Sequence, residues 1–103
     1  LAEQEYLQAK EIREQLAAEN PSAHQPYLAN TCNNLGNLYA DTNRLKLAEQ
    51  EYLRAQEIYE QLSKISPERY MVHLKMTCKN LKQLKNTREK PGFFARLFSR
   101  FKK

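Results

Sequence analysis

The sequence contains no tryptophan, two glycines, two cysteines and two histidines in 103 residues. Gly36 and Gly92 stand far apart, so there is no glycine-rich phosphate loop, which excludes the common nucleotide-binding motifs. His24 and His73 lie at no ligand spacing from each other or from a cysteine, and no metal site is expected. Neither histidine pairs with a nucleophile in a recognisable order. Lacking a catalytic constellation and a cofactor motif, the chain reads as non-enzymatic. No apolar run approaches the roughly 18 residues that span a bilayer.

Charge of one sign is scarce in each half. Residues 1–62 hold five Lys and Arg against ten Asp and Glu, whereas residues 63–103 hold twelve against two. The halves carry net −5 and net +10, which together make the chain's +5. Such asymmetry points the basic half toward something acidic: a partner protein, a membrane surface, nucleic acid, or the acidic helices of the same or a neighbouring chain.

What is present is a repeat. LAEQEYLQAKEIREQL at residues 1–16 recurs as LAEQEYLRAQEIYEQL at residues 47–62, with three of sixteen positions changed. The same 46-residue shift carries Thr31, Cys32, Asn34, Leu35 and Leu38 onto Thr77, Cys78, Asn80, Leu81 and Leu84. A period of this size is the signature of a stacked array whose units cannot bury their apolar faces alone. Because residue 1 falls inside a copy, the chain is expected to be the C-terminal part of a longer array. Equivalent positions of stacked helices lie about 8 to 10 Å apart, beyond the Cα spacing of roughly 7 Å that a disulfide bridges. Cys32 and Cys78 are therefore expected to be free thiols, which favours a reducing compartment and a cytoplasmic location.

Apolar residues at three- and four-residue steps predict a helix over residues 1–18, with Ala2, Tyr6, Ala9, Ile12 and Leu16 as its buried stripe. Asn20-Pro21 ends it. Pro26 is expected to open the next helix, whose stripe is Leu28, Cys32, Leu35 and Tyr39. Gly36 lies within the packed side, costs about 1 kcal/mol relative to alanine, and is expected to face Ala48. Asn43 suits a left-handed helix-terminating position, and the short link at residues 41–44 forces antiparallel neighbours. Ala48, Tyr52, Ala55, Ile58 and Leu62 form the next stripe, completing a hairpin over residues 26–63. Ser66-Pro67-Glu68, with its hydroxyl cap, starts a last long helix over residues 67–87. Its stripe would be Met71, Leu74, Cys78, Leu81 and Leu84. There Lys82 and Lys85 replace Gly36 and Tyr39, and that side is expected to face solvent.

Leu35, Gly36, Tyr39, Asn43, Ala48, Tyr52 and Ala55 in LGNLYADTNRLKLAEQEYLRA resemble the tetratricopeptide repeat (TPR). CNNLGNLY together with AEQEYLRAQEIYEQL looks most like its longer kinesin-light-chain-like variant. The resemblance implies an all-α fold, antiparallel helical hairpins stacked as a short α-solenoid over residues 1–90. It also implies a scaffold whose concave face, lined by the first helix of each hairpin, binds a peptide. Carried over by position, the groove residues are Asn30, Asn33, Asn34, Asn37 and Asp41, then Lys79, Asn80, Gln83 and Asn86. The residues themselves agree in part: the asparagines share the face opposite the apolar stripe, and asparagine is a poor helix former whose amide meets a peptide backbone well. A solvated polar face is the plain alternative. The lysines make an acidic or carboxylate-bearing peptide the expected partner.

Pro91-Gly92 separates a tail, residues 91–103, in which Phe94, Leu97, Phe98 and Phe101 gather on one side and arginine and lysine lie elsewhere. Three readings stay open: a cap on the last long helix, an interface with another chain, or a membrane-surface helix. The leading expectation is a protein-interaction module. The alternative is a structural end piece that self-associates through exposed solenoid ends or the tail. Nucleic-acid binding ranks third, because the lysines lack an aromatic stacking platform.

Overall fold

The computed structural model describes residues 2–89, and the tail with Phe94, Leu97, Phe98 and Phe101 lies outside the described residues. Four helices follow one another: α1 (Ala2–Glu19), α2 (Pro21–Asp41), α3 (Leu45–Ile65) and α4 (Pro67–Glu89). Each packs antiparallel on the next, giving an all-α fold of two hairpins.

Backbone chemistry sets the breaks. Asn20 has φ −144° and ψ 83°, and Pro21 takes the first helical position. The expected opening of α2 at Pro26 is corrected to Pro21. Pro26 lies in the second turn, where the bond it forgoes is to the carbonyl of exposed Ser22, which water can satisfy. After α2, Asn43 adopts φ 61°. Its N–H donates to the Ala40 carbonyl at 3.1 Å and that of Arg44 to the Tyr39 carbonyl at 2.7 Å, the paired bonds of a Schellman ending. Asn43 thus does what its residue type predicts. At the third break the Arg69 and Tyr70 N–H groups donate to the Ser66 backbone carbonyl, both at 3.2 Å.

The core lies around α2 and α3. One cluster joins Ala17, Leu28, Cys32, Ala55, Ile58 and Leu62, and the other joins Leu35, Tyr39, Ala48, Tyr52, Leu81 and Leu84. α1 and α3 share one side of the array, tied by ion pairs from Arg44 Nη2 to Glu3 at 2.8 Å, Lys10 to Glu51 at 2.9 Å and Arg54 to Glu14 at 3.8 Å. α2 and α4 share the other, where Asn33 accepts from Thr77 and Asn80.

Four expected core placements are corrected, the first being Ala2, which is exposed, while the buried residue of α1 is Ala17. Ile12 is 54% exposed while its copy Ile58 is 4% exposed, because α3 is packed between α2 and α4 whereas α1 packs chiefly on α2 and meets α3 mainly through ion pairs. Met71 is exposed, and the fully buried residue of α4 is Thr77. Gly36 lies beneath the ring of Tyr52: a Cβ there would meet ring carbons at 2.6 Å, and no atom of Ala48 is among its nearest neighbours. Lys82 and Lys85 are exposed, as the loss of the glycine and the aromatic predicts.

Candidate functional site

The C-terminal halves of α2 and α4 border a cleft of about 450 Å³, lined by Asn37, Ala40, Asp41, Leu45, Tyr52, Asn80, Gln83, Leu84 and Thr87. Helical spacing explains the set. Asn37, Ala40 and Asp41 lie on one face of α2, and Asn80, Gln83, Leu84 and Thr87 on one face of α4. Tyr52 reaches in from α3, its ring held over Gly36 and its hydroxyl donating to Asn37 Oδ1 at 2.5 Å. Burial, and after it the Asp41 carboxylate, push the Tyr52 phenol above its ordinary range, so it remains a donor.

That bond leaves the Asn37 Nδ2 donors for a ligand. Asn80 Nδ2 donates to Asn33 Oδ1 at 3.4 Å, which leaves the Asn80 carbonyl oxygen as an acceptor. Gln83 offers both kinds of group and Asp41 two acceptors, over apolar surface from Ala40, Leu45 and Leu84. The cleft can therefore meet both the N–H and the C=O of an extended backbone. It contains no nucleophile paired with a base.

Of the nine residues expected in the groove, Asn37, Asp41, Asn80 and Gln83 come together here. Asn33 is spent between the helices, accepting from Thr77 Oγ1 at 3.4 Å and from Asn80. Asn30, Asn34 and Lys79 do not line the cleft; Asn30 and Lys79 are exposed and Asn34 is half-buried. Asn86 is likewise exposed. Tyr52 is the lining residue of the cleft that reading the stripe as core misses. Its signal was the phenol itself, since a buried tyrosine hydroxyl needs a partner.

A second polar cluster lies in the core between α1, α2 and α3. Lys10 Nζ donates to Glu51 Oε2 at 2.9 Å beside Cys32, and Glu51 Oε1 is buried without a partner among the described residues. Burial first and Glu51 second push the Cys32 thiol up to about 12. Cys32 and Cys78 are both free. Among the described residues no group of three or more His, Cys, Asp or Glu gathers to hold a metal, and no helix is long and apolar enough to cross a membrane. Comparison of the chain with protein-family models, with curated proteins and with solved structures returns no match.

Proposed function

We propose that this chain is a non-enzymatic protein-interaction module, a short TPR-type solenoid that holds an extended peptide in the cleft between α2 and α4. The observation that carries the reading is the lining of that cleft: Asn37, Asn80 and Gln83 present amide donors and acceptors to one space. Peptide backbone needs both kinds of partner at close intervals. The alternating placement of α1 and α3 against α2 and α4 supports the solenoid reading, since it is how successive hairpins stack.

A preference for acidic or carboxylate-bearing segments rests on Lys79, exposed and next to Asn80 in sequence. Asp41 within the lining favours a donor-rich segment. A peptide array with free and amidated C-termini separates these preferences, read at two salt concentrations because an exposed lysine contact weakens with salt. Asp41→Ala combined with Gln83→Ala is expected to weaken capture of the retained peptides at least about tenfold while leaving the thermal midpoint nearly in place, since both residues are exposed and neither side chain makes a hydrogen bond or ion pair among the described residues. Unchanged affinity in that double variant would remove the cleft as the binding site.

A further inference from the structure

The 46-residue shift relates contacts as well as residues. Arg13 sits over the Tyr27 ring, its guanidinium carbon 4.9 Å from the centroid, and the shifted residues Tyr59 and His73 stack with centroids 5.3 Å apart. Lys10 lies beside Cys32, and the shifted Gln56 donates to Cys78 Sγ at 3.1 Å. The chemistry changes but the pairings persist, so α4 is seated on α3 as α2 is seated on α1.

Upon α1 and α2 lies α3. Its Tyr52 covers Gly36, its Glu51 bonds Lys10 beside Cys32, and three ion pairs join it and its preceding turn to α1. Shifted by one repeat, Glu3–Arg44 becomes Glu49–Lys90, Glu14–Arg54 becomes Glu60–Arg100, and Lys10–Glu51 becomes Gln56–Leu97. Two pairs keep an acid opposite a base. The third loses both charges together, so neither side is left with an uncompensated ion. The surface concerned is a groove of about 280 Å³ between α3 and α4, lined by Leu53, Gln56, Cys78, Leu81, Lys82 and Lys85. Shifted back, it is Leu7, Lys10, Cys32, Leu35, Gly36 and Tyr39, and there Cys32 is fully buried whereas Cys78 is only half-buried.

We propose that residues 91–103 of the same chain dock in this groove in the register of α3, Leu97 and Phe98 taking the places of Glu51 and Tyr52, while Lys90 and Arg100 pair with Glu49 and Glu60. The basic tail meets Glu49 and Glu60 of the acidic half on the α3 side of the groove, while the α4 side carries Lys82 and Lys85. Pro91 stands at the place of Leu45, the first residue of α3, a position that proline favours. Lys82 at the place of Gly36 keeps Phe98 from lying as deep as Tyr52, and instead offers its stem and ammonium to the ring. α4 runs to Glu89, which stands at the place of Asn43; glutamate does not favour the left-handed conformation, so the entry turn differs. This docking is independent of the α2–α4 cleft and uses another surface.

The test is the rate at which a maleimide modifies Cys78 in the full 103-residue chain, read site by site with mass spectrometry against Cys32 as the internal control for folding. Phe98→Glu is expected to raise the Cys78 rate about tenfold, because local shielding by the tail is lost, with Cys32 unchanged. Glu60→Arg is expected to raise it about twofold, the scale of an exposed pair, and adding Arg100→Glu returns it toward the parent value. Equal Cys78 rates in the parent and both single variants overturn the proposal. Shielding that grows with protein concentration overturns it in favour of a second copy's tail. A Phe98-dependent attachment to phosphatidylserine vesicles, with no Phe98-dependent shielding of Cys78, overturns it in favour of a lipid surface.

Discussion

Tyr52 lies so close across Gly36 that a Cβ at position 36 would meet its Cδ1 and Cε1 at 2.6 Å. The ring cannot easily give way, because it is 4% exposed and its hydroxyl is bonded to Asn37. Gly36→Ala therefore sets a gain in helix propensity of about 1 kcal/mol against overpacking of roughly 1 to 3 kcal/mol. The expected outcome is a net loss in the denaturant midpoint. In a Tyr52→Ala background the same change should turn neutral or stabilising, and additive effects would disprove the contact.

Ile12 and Ile58 occupy the same place in a sixteen-residue repeat. Ile58→Ala is expected to cost about 2 to 5 kcal/mol, the range for a buried aliphatic truncated to alanine. Ile12→Ala, at 54% exposure, is expected to stay within about 1 kcal/mol. Urea unfolding of the two variants side by side checks this, and similar losses would contradict the placement of α1.

Asn33 is a structural residue in this fold. Asn33→Ala removes the acceptor of Thr77 Oγ1, a hydroxyl on a residue 1% exposed, and of Asn80. A loss of about 1 kcal/mol is expected, the usual scale of one hydrogen bond. Asn30→Ala, on the exposed side of the same helix, is expected to change stability by less than about 0.5 kcal/mol.

Cys32 titrates far above its ordinary value of 9.0, at about 12, because burial and then Glu51 oppose the thiolate. A raised folded value means the favourable contribution is complete below 9.0 and is lost as pH rises from there toward about 12. The alkaline fall in stability is expected to be shallower in Cys32→Ala than in the parent, as read by denaturation across that range. Cys78, half-buried, should be modified by thiol reagents before Cys32.

Glu3 shows the opposite sign. The hydrogen bonds from Arg44, at 2.8 and 3.1 Å, hold its carboxyl below the ordinary 4.5. Its contribution is therefore present above 4.5 and is lost as pH falls through the lower folded value. Glu3→Gln should flatten the acid limb of a thermal-midpoint profile, and Arg44→Ala should do the same.

Much of the fold was legible because it depends on neighbours in sequence. Pro67 begins a helix, Asn43 takes the left-handed turn, and the stripe of Ala48, Tyr52, Ala55, Ile58 and Leu62 is buried as its spacing requires. The polar face of α2 was legible too, and with its counterpart on α4 it supplied Asn37, Asp41, Asn80 and Gln83 to the cleft. What spacing alone did not show was that Asn33 would be used between helices, or that the hydroxyl of a core tyrosine would reach the cleft. Pro26 inside α2 was hidden for a related reason, since the bond it forgoes is to an exposed carbonyl and the helix simply continues past it. By itself the sequence determined the helices, their breaks and the apolar faces, because those follow from local backbone chemistry and periodicity. Only the tertiary structure decided which faces are covered. Residues 1–16 and 47–62 are nearly the same segment, yet Ile12 meets solvent and Ile58 does not, because burial is set by the helices packed around a residue, chiefly α2 for α1 and both α2 and α4 for α3.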